Sequence, residues 1–342
     1  MKTLYIAQYL LIVLLFGVWS AAPCCAQDLH YSQFEAAPLS LLPTDAGVGE
    51  PQKRFTANAR EQWQSVPVPY LTFAAAYDQR TRLNTRNMLG LGIALEHDMA
   101  GDGQLTHTAI SITGAYHRRI ARYHWLSFGA AIGMVQRGIV TSRLTFDNQF
   151  DGDSYNASIA PNENYNMNPY LYPDLRLSAA WHYEQGGWQA QFGIGVAHPH
   201  RPLQGFESAA TTTPLERKYS AFAAATIPIS QGSNDNELLP VALIQRQGSY
   251  TETVLGVSFR HRFYTEVFHR LAADIGVRVR LGDAIIPTFA VQYNQWRAGV
   301  SYDLNNSPFV VATSGRGGME VSLQYGIYEV PKLKGVKICP VF

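Results

Sequence analysis

Strict alternation of apolar and polar residues near the end of the chain is the feature that most restricts its fold. Trp296, Ala298, Val300 and Tyr302 are separated by single polar or small residues, and the same period returns over residues 319–327. A period of two places successive side chains on opposite faces of a β-strand, so each stretch has one apolar and one polar face. The Asn and Gly residues between the two stretches predict that they form a hairpin.

The same alternation recurs along most of the chain. The clearest example starts at Trp188, where every second residue up to Val196 is apolar and the residues between are Gln or Gly. Other candidate strands begin near Arg54, Tyr70, Leu89, Thr108, Leu126, Asp174, Tyr219, Leu238, Thr251, Leu271 and Ala284. Most have about the length that a tilted strand needs to cross the hydrocarbon layer. The count is about 14, and bacterial outer-membrane barrels use even numbers of this size.

Composition separates a membrane barrel from other all-β folds. Only 15% of the residues are charged, whereas soluble proteins average roughly 25%. The chain also has 19 Tyr, 16 Phe and 6 Trp, and many of them lie at the ends of candidate strands, where an interfacial girdle would lie. After the N-terminal region no apolar run reaches the roughly 18 residues of a membrane helix. These features favour a transmembrane antiparallel β-barrel of about 14 strands over a soluble β-sandwich or propeller.

The first 26 residues have the features of a secretory signal peptide. Lys2 precedes an apolar run over residues 9–19, and small residues lead to Ala26, after which we predict cleavage. Lipidation at Cys24 or Cys25 is the alternative interpretation. It fits less well, because a Pro precedes Cys24 and Cys25 lacks small residues just ahead of it.

Charge balance and cysteine content exclude several kinds of partner and site. Lys2 is the only charged residue of the signal peptide, so the 27 basic and 26 acidic residues of the whole chain become 26 and 26. A neutral chain gives no indication of nucleic acid or anionic lipid as a partner. Cys339 is the one cysteine left after cleavage, which excludes a disulfide framework and a zinc cluster.

The mature chain is predicted to be a single domain with an irregular beginning. Three Pro and two Gly residues interrupt residues 27–53, and the barrel is predicted over residues 54–342. We expect the N-terminal segment either to enter the lumen or to lie across the periplasmic mouth. The longest breaks in the strand pattern, residues 141–173 and 198–218, predict long loops.

No stretch has the spacing of a catalytic or metal site. The loop Asp147–Asp153 alternates carboxylates and amides, which suits Ca²⁺, but it lacks the downstream bidentate Glu, so an ordinary solvated loop is favoured. His198 and His200 have no identifiable third ligand or nucleophile beside them. A membrane hydrolase would need a Ser–His pair on its outer wall, and no pair stands out. We therefore predict no catalytic, cofactor-binding or metal-binding residues.

Charged residues on the polar faces of candidate strands are the remaining candidate site. In a membrane strand such charges must point away from the lipid. The predicted lumen network consists of Arg54, Arg60, Asp274, Arg278, Arg280, Arg297, Asp303 and Glu320. Because both signs are present, we expect the charges to pair and to hold the barrel closed; a selective pore is the alternative. The terminal aromatic residue, Phe342, is predicted to be the barrel-insertion signal.

Short stretches in a fixed order carry a resemblance to a known family. They are QDLHYSQF at 27–34, EQW at 61–63, LTFDNQF at 144–150, GDAIIP at 282–287, GVSYD at 299–303, GGME at 317–320 and CP at 339–340. In order and spacing the mature chain resembles the PorP/SprF family of outer-membrane proteins from Bacteroidetes. Two positions depart from the family pattern: Leu42-Pro43 stands where Asn-Pro is usual, and Val341 where a basic residue is frequent.

The resemblance implies a non-enzymatic accessory protein of the type IX secretion system and gliding motility, in the outer membrane. It implies three protein partners besides the lipid bilayer: the secretion machinery, a large secreted surface protein such as an adhesin, and a periplasmic peptidoglycan-binding protein. We predict no cofactor and, from the charge balance, no nucleic-acid partner. An outer-membrane porin or small-solute transporter is the alternative function, and a membrane hydrolase is the alternative from the enzyme class.

Overall fold

The computed structural model describes most of the chain after residue 27. It covers residues 28–62, 70–140, 144–150, 152–156, 158–160, 167–206, 212–229, 235–265, 270–307, 310 and 315–328. The predictions for the signal peptide, for Cys24 and Cys25, and for Phe342 lie outside these residues. Within the same ranges, no helix is both long and apolar enough to cross a membrane.

Fourteen long antiparallel strands close into a barrel, which confirms the predicted fold class. The barrel strands are β1 (Lys53–Gln62), β2 (Tyr70–Arg82), β3 (Asn87–Ala100), β4 (Leu105–Ala121), β5 (His124–Gly138), β6 (Tyr170–Gln185), β7 (Trp188–Ala197), β10 (Lys218–Pro228), β11 (Asp235–Gln247), β12 (Tyr250–Thr265), β13 (Arg270–Arg280), β14 (Ala284–Tyr293), β15 (Trp296–Asn305) and β16 (Arg316–Ile327). A separate two-stranded hairpin consists of β8 (Leu203–Gln204) and β9 (Thr213–Pro214). Barrel strands pair in chain order, and β1 pairs with β16, so the sheet has no free edge.

The period of two in the sequence determines which side of the wall each residue faces. On β7, Trp188, Phe192 and Ile194 are each about half exposed on the outer surface, and Trp296 on β15 is exposed to the same extent. The intervening polar and small residues face the lumen. A closed wall with an apolar outer face is the architecture of an outer-membrane protein, and the chain is located in that membrane.

The two ends of the barrel differ in the length of their connections. At the end where β1 begins, the β4–β5, β6–β7 and β14–β15 turns have two residues each. The opposite end carries the long connections over residues 139–169 and 198–217. Outer-membrane barrels have short periplasmic turns and longer extracellular loops. We therefore name the first the inner end and the second the outer end.

Residues 28–52 run through the lumen, and we name them the plug. Asp28 lies at the outer end, beside Lys218, while the backbone N–H of Gln52 donates to the carbonyl of Ile327 at the inner end. Between them are three short helical turns, Phe34–Ala36, Pro38–Leu41 and Pro43–Asp45. Of the two positions expected for the N-terminal segment, the structure has the one inside the lumen. The barrel wall then begins at Lys53, one residue before the predicted start.

The plug supplies much of the apolar core. Leu39 and Leu42 are among the most completely buried side chains of the described residues, and Phe34 packs edge-on against Phe222 of β10 at 5.9 Å between ring centroids. Wall side chains can fill the interior of a barrel of about eight strands, but the diameter grows with strand number, and this barrel has fourteen. Here the wall turns its apolar residues to the lipid, so a separate segment fills the interior.

A truncation tests the role of the terminal aromatic. We expect deletion of residues 338–342, which include Phe342, to lower the outer-membrane level of the chain sharply, because the last strand closes the sheet and the terminal residue is the predicted insertion signal. Cell fractionation and immunoblotting measure this level, with Val341→Ala as the control. Normal outer-membrane levels of the truncated chain would show that Phe342 is incidental.

Candidate functional site

The centre of the lumen site is Glu320 on β16, which is completely buried. Its carboxylate accepts hydrogen bonds from the backbone N–H groups of Ser32 and Gln33 in the plug, at 2.6 and 2.8 Å. The side-chain amide of Asn58 on β1 donates to the same carboxylate at 2.9 Å. A buried carboxylate needs such donors to offset its desolvation. Glu320 therefore joins the plug to both strands that close the barrel.

Two arginines and Asp303 surround Glu320. Arg60 on β1 lies 2.8 Å from Asp303 and 3.7 Å from Glu320, which is also its direct partner in the β1–β16 register. Arg280 on β13 lies 3.0 Å from the same Asp303 oxygen and donates to the hydroxyl of Ser32 at 2.8 Å. We name Arg60, Arg280, Asp303 and Glu320 the seam cluster. Through Asp303, it connects the junction of the first and last strands to β15 and β13.

Asp274 and Arg297, also predicted for the lumen network, form a second group nearer the inner end. Arg297 forms an ion pair with Asp274, and Arg260 on β12 donates to the same carboxylate at 2.7 and 3.0 Å. The two groups do not share an ion pair. The structure thus divides the predicted network into separate clusters at different depths.

Arg54 and Arg278 take partners outside the predicted set. Arg54 lies 2.9 Å from Asp78 on the neighbouring strand β2 and also donates to a plug carbonyl. Arg278 lies 2.7 Å from Glu35 of the plug and donates to the carbonyl of Ser32 at 2.5 Å. Both arginines therefore connect the wall to the plug.

Polar wall residues satisfy backbone groups that the irregular plug leaves unpaired. The carbonyl of Ala46 lies 2.9 Å from His117 Nε2, and the N–H of Thr44 donates to the hydroxyl of Ser178 at 2.9 Å. Arg176 donates to the carbonyl of Leu39 at 3.3 Å. Buried backbone groups need such partners. The wall therefore provides donors and acceptors at the positions where the plug backbone requires them.

At the outer end, His198 lies between two carboxylates. Its Nδ1 lies 2.6 Å from Asp174 of β6, and its Nε2 lies 2.7 Å from Asp28, the first described residue of the plug. Lys218 is 3.2 Å from the same Asp28 oxygen. Burial by itself lowers the pKa of His198, but the carboxylates of Asp28 and Asp174 outweigh burial and raise the pKa to about 9. The ring is therefore an imidazolium at neutral pH and donates to both carboxylates.

This raised pKa predicts a pH-dependent attachment of the plug. The folded-state pKa of His198 exceeds the ordinary 6.5, so its contribution to stability is fully present below pH 6.5 and is lost as pH rises through about 9. The contribution is at most about 3 kcal/mol. Thermal melting in detergent between pH 6 and pH 10 measures it. His198→Gln should remove that part of the pH dependence, and an unchanged profile would contradict the assignment.

A small cavity of roughly 50 Å³ lies between the plug and the wall in the outer half of the lumen. Its lining includes Arg176 and Lys218 as cations, Glu96 and Asp174 as anions, and the ring of Phe34. A lining of both signs gives no preference for anions or for cations. This space therefore lacks the charge pattern of a selective pore.

Sequence reasoning missed the plug residues of the site and several wall residues. One of these wall residues is Glu252 on β12, which lies 2.9 Å from Arg280. Arg260, Asp78 and Glu252 could have been found, because each lies at a lumen-facing position of the strand alternation. Ser32 and Gln33 gave no signal, since they lie in an irregular segment that has no strand period.

The chain matches the family described as the type IX secretion system membrane protein PorP/SprF over residues 24–325. No curated protein matches it significantly.

Several solved outer-membrane structures are similar at low identity. A FadL homologue from Pseudomonas aeruginosa is 9% identical, with 84% of this chain and 93% of that chain covered and a TM-score of 0.48. The toluene transporter TbuX from Ralstonia pickettii is 8% identical, with 86% and 94% covered and a TM-score of 0.48. The ferric enterobactin receptor PfeA from Pseudomonas aeruginosa is 10% identical, with 73% of this chain covered and a TM-score of 0.36; this chain spans 44% of its length. The family match over residues 24–325 shows that the chain belongs to the PorP/SprF family and is an outer-membrane component of the type IX secretion system.

Proposed function

We propose that this chain is a closed, non-enzymatic scaffold that supports the secretion or surface attachment of one particular large surface protein, such as an adhesin. The observation that carries the proposal is the plug, which occupies the lumen from Asp28 to Gln52 and is bonded to the wall along its length. A lumen filled in this way disfavours the passage of solutes. The surfaces left for partners are the loops and turns at the two ends.

In this scaffold each end has its own partner. The short turns of the inner end would contact a periplasmic peptidoglycan-binding protein and the secretion machinery. The long connections over residues 139–169 and 198–217 would contact the secreted protein at the outer end. Hydrogen bonds and ion pairs connect the plug to the wall, so the barrel holds the inner-end turns and the outer-end loops at fixed positions. A rigid binding surface loses less conformational entropy when a partner binds.

A lumenal Ser–His pair does not have the arrangement of a hydrolase. His117 Nδ1 lies 2.8 Å from the hydroxyl of Ser127, but Nε2 lies 2.9 Å from the carbonyl of Ala46 rather than beside a carboxylate. A catalytic His needs one nitrogen for the nucleophile and the other for an acidic partner. Both side chains are also buried under the plug, away from lipid. We therefore favour a structural role for this pair.

The surface proteome of a deletion strain tests the proposed function. We expect loss of the chain to remove one large surface protein from the cell surface, while other type IX cargo reaches the surface normally. Complementation with the wild-type chain should restore that protein. Loss of every type IX cargo would indicate a core machine part instead, and an unchanged surface with impaired uptake of a solute would favour the porin.

A further inference from the structure

Two adjacent turns at the inner end carry an unusual concentration of arginines. The β2–β3 region, residues 79–90, and the β4–β5 region, residues 115–127, contain no Asp or Glu. Their arginines are Arg80, Arg82, Arg86, Arg118, Arg119 and Arg122. The two turns are joined directly, because the backbone N–H of Arg119 donates to the carbonyl of Arg86 at 2.7 Å. The two turns therefore lie side by side at the inner end.

Most of this charge is not neutralised by the chain itself. Arg82, Arg86, Arg118 and Arg122 are exposed, and none of them has a carboxylate within ion-pair distance among the described residues. Arg60 in the lumen, in contrast, is matched by two acidic residues. An exposed group of unmatched guanidinium ions is available to an external anion.

The strand alternation directs Arg118 toward the lipid rather than the lumen. His117 on β4 is buried in the lumen, whereas Tyr116, Arg118 and Ile120 are exposed on the opposite face. Leu126 of β5 lies directly opposite Arg118 in the sheet register. The guanidinium therefore leaves the wall on its membrane side.

Aromatic residues fix the depth of this surface in the membrane. Leu126 is paired on its other side with Trp181 of β6, so Arg118 and Trp181 share one row of the wall. The ring of Trp181 stacks on His124 at 5.7 Å and on Tyr183 at 6.3 Å. Such outward aromatic groups lie at the level of the lipid headgroups.

Two of the arginines are themselves positioned by aromatic rings. The guanidinium of Arg119 lies 5.8 Å from the centre of the Trp125 ring, and that of Arg122 lies 5.2 Å from the Tyr123 ring. The Nε and Nη2 groups of Arg119 already donate to the carbonyl of Arg122, so Arg119 orders the turn. Arg122 lies on an aromatic face, which leaves the N–H edges of its guanidinium available for hydrogen bonding. These edges match the geometry of a phosphate group.

We propose that Arg86, Arg118 and Arg122, the inner arginine patch, bind the phosphates of anionic phospholipids in the inner leaflet of the outer membrane. The lipid-facing direction of Arg118 and its row with Trp181 favour a lipid over a soluble acidic protein, which would approach from the periplasm. The near-zero formal net charge of the chain, +1, gives no indication of this site, because the excess of arginine is confined to two turns.

Native mass spectrometry of the purified full-length chain tests the proposal. The chain is equilibrated in detergent with equal amounts of phosphatidylglycerol and phosphatidylcholine, and the lipids retained are counted. We expect the wild type to retain phosphatidylglycerol preferentially. The double variant Arg118→Gln with Arg122→Gln should lower that preference by at least about fivefold. The matched control is Arg217→Gln with Arg246→Gln, two exposed arginines at the outer end, and it should keep the preference.

Further measurements distinguish the binding of anionic phospholipid from the binding of other anions and from an effect of misfolding. Lysine at positions 118 and 122 keeps the charge but loses the forked geometry, so Arg118→Lys with Arg122→Lys should retain part of the preference. Equal retention of the two phospholipids by the wild type would overturn the proposal. So would stronger retention of lipid A than of phosphatidylglycerol, or displacement of phosphatidylglycerol by soluble poly-glutamate, which would point to the outer leaflet or to an acidic protein. These wild-type measurements hold even if a variant fails to fold.

Discussion

Glu320→Ala should lower the stability of the barrel by about 3–5 kcal/mol, the usual effect of removing one partner from a buried ionic group. The substitution leaves the N–H groups of Ser32 and Gln33 and the amide of Asn58 without their acceptor. It also removes one of the two carboxylates beside Arg60. All these groups are buried, so water cannot replace the lost contacts at low cost.

Heat-modifiability on gels and denaturation in detergent measure this effect. Glu184→Ala is the matched control, because Glu184 is an exposed glutamate on β6 and its replacement should change stability by less than about 0.5 kcal/mol. Glu320→Gln keeps an acceptor but loses the charge and should fall between the two. Equal stability of the Glu320→Ala and Glu184→Ala variants would show that the plug does not depend on the seam cluster.

Gly90→Val should expel the inner half of the plug from the lumen. A Cβ at Gly90 would lie 1.9 Å from the carbonyl oxygen of Ala46 and 3.1 Å from His117. The first distance is far inside van der Waals contact and involves backbone, so the plug itself must move. Gly114→Val is the control, since Gly114 lies on the outward face of the neighbouring strand and a Cβ there meets nothing within 4 Å.

Cysteine labelling in the plug reports this displacement. With Cys339→Ser as background, a cysteine at Leu39, which is 1% exposed in the wild type, should react slowly with a water-soluble maleimide. In the Gly90→Val chain the reaction should accelerate by roughly tenfold or more, because the site is no longer buried. The same slow rate in the Gly90→Val and Gly114→Val chains would contradict the close fit between plug and wall.

The seam cluster explains why an irregular segment can be held in one position. Arg60 and Glu320 are direct partners of the first and last strands, and Ser32 is bonded to Glu320 and to Asp303. The plug thus bonds at the junction where the sheet closes. The bound plug stabilises the closed sheet. Closing of the sheet in turn brings together Asp303 and Glu320, the acceptors that bind the plug.

Alternation in the sequence was sufficient to predict the wall. It is a local property, and the period of two sets the face of each residue whatever the partner strand. The strand number, the outward position of Trp188 and Trp296, and the lumenal position of Arg60 and Arg280 all follow from it. These are the parts of the fold that the hydrophobic pattern encodes directly.

The alternation could not predict the path of the plug through the lumen, nor which charged residues pair with one another. Ser32 bonds to a residue 288 positions away, and no periodicity connects such distant segments. Arg278 likewise pairs with Glu35 of the plug rather than with a wall residue. Partners of this kind are determined by the shape of the assembled lumen, which the sequence does not display locally.

Single-channel recording of the purified wild-type chain in planar bilayers tests most directly whether the barrel is a closed scaffold. We predict no steady conductance, because the plug is bonded to the wall from Asp28 to Gln52. Arg297→Ala should lower heat stability, through loss of its ion pair with Asp274, without producing a defined ion selectivity. A large and steady wild-type conductance, with a selectivity that shifts when Arg297 is replaced, would contradict the scaffold and favour a porin.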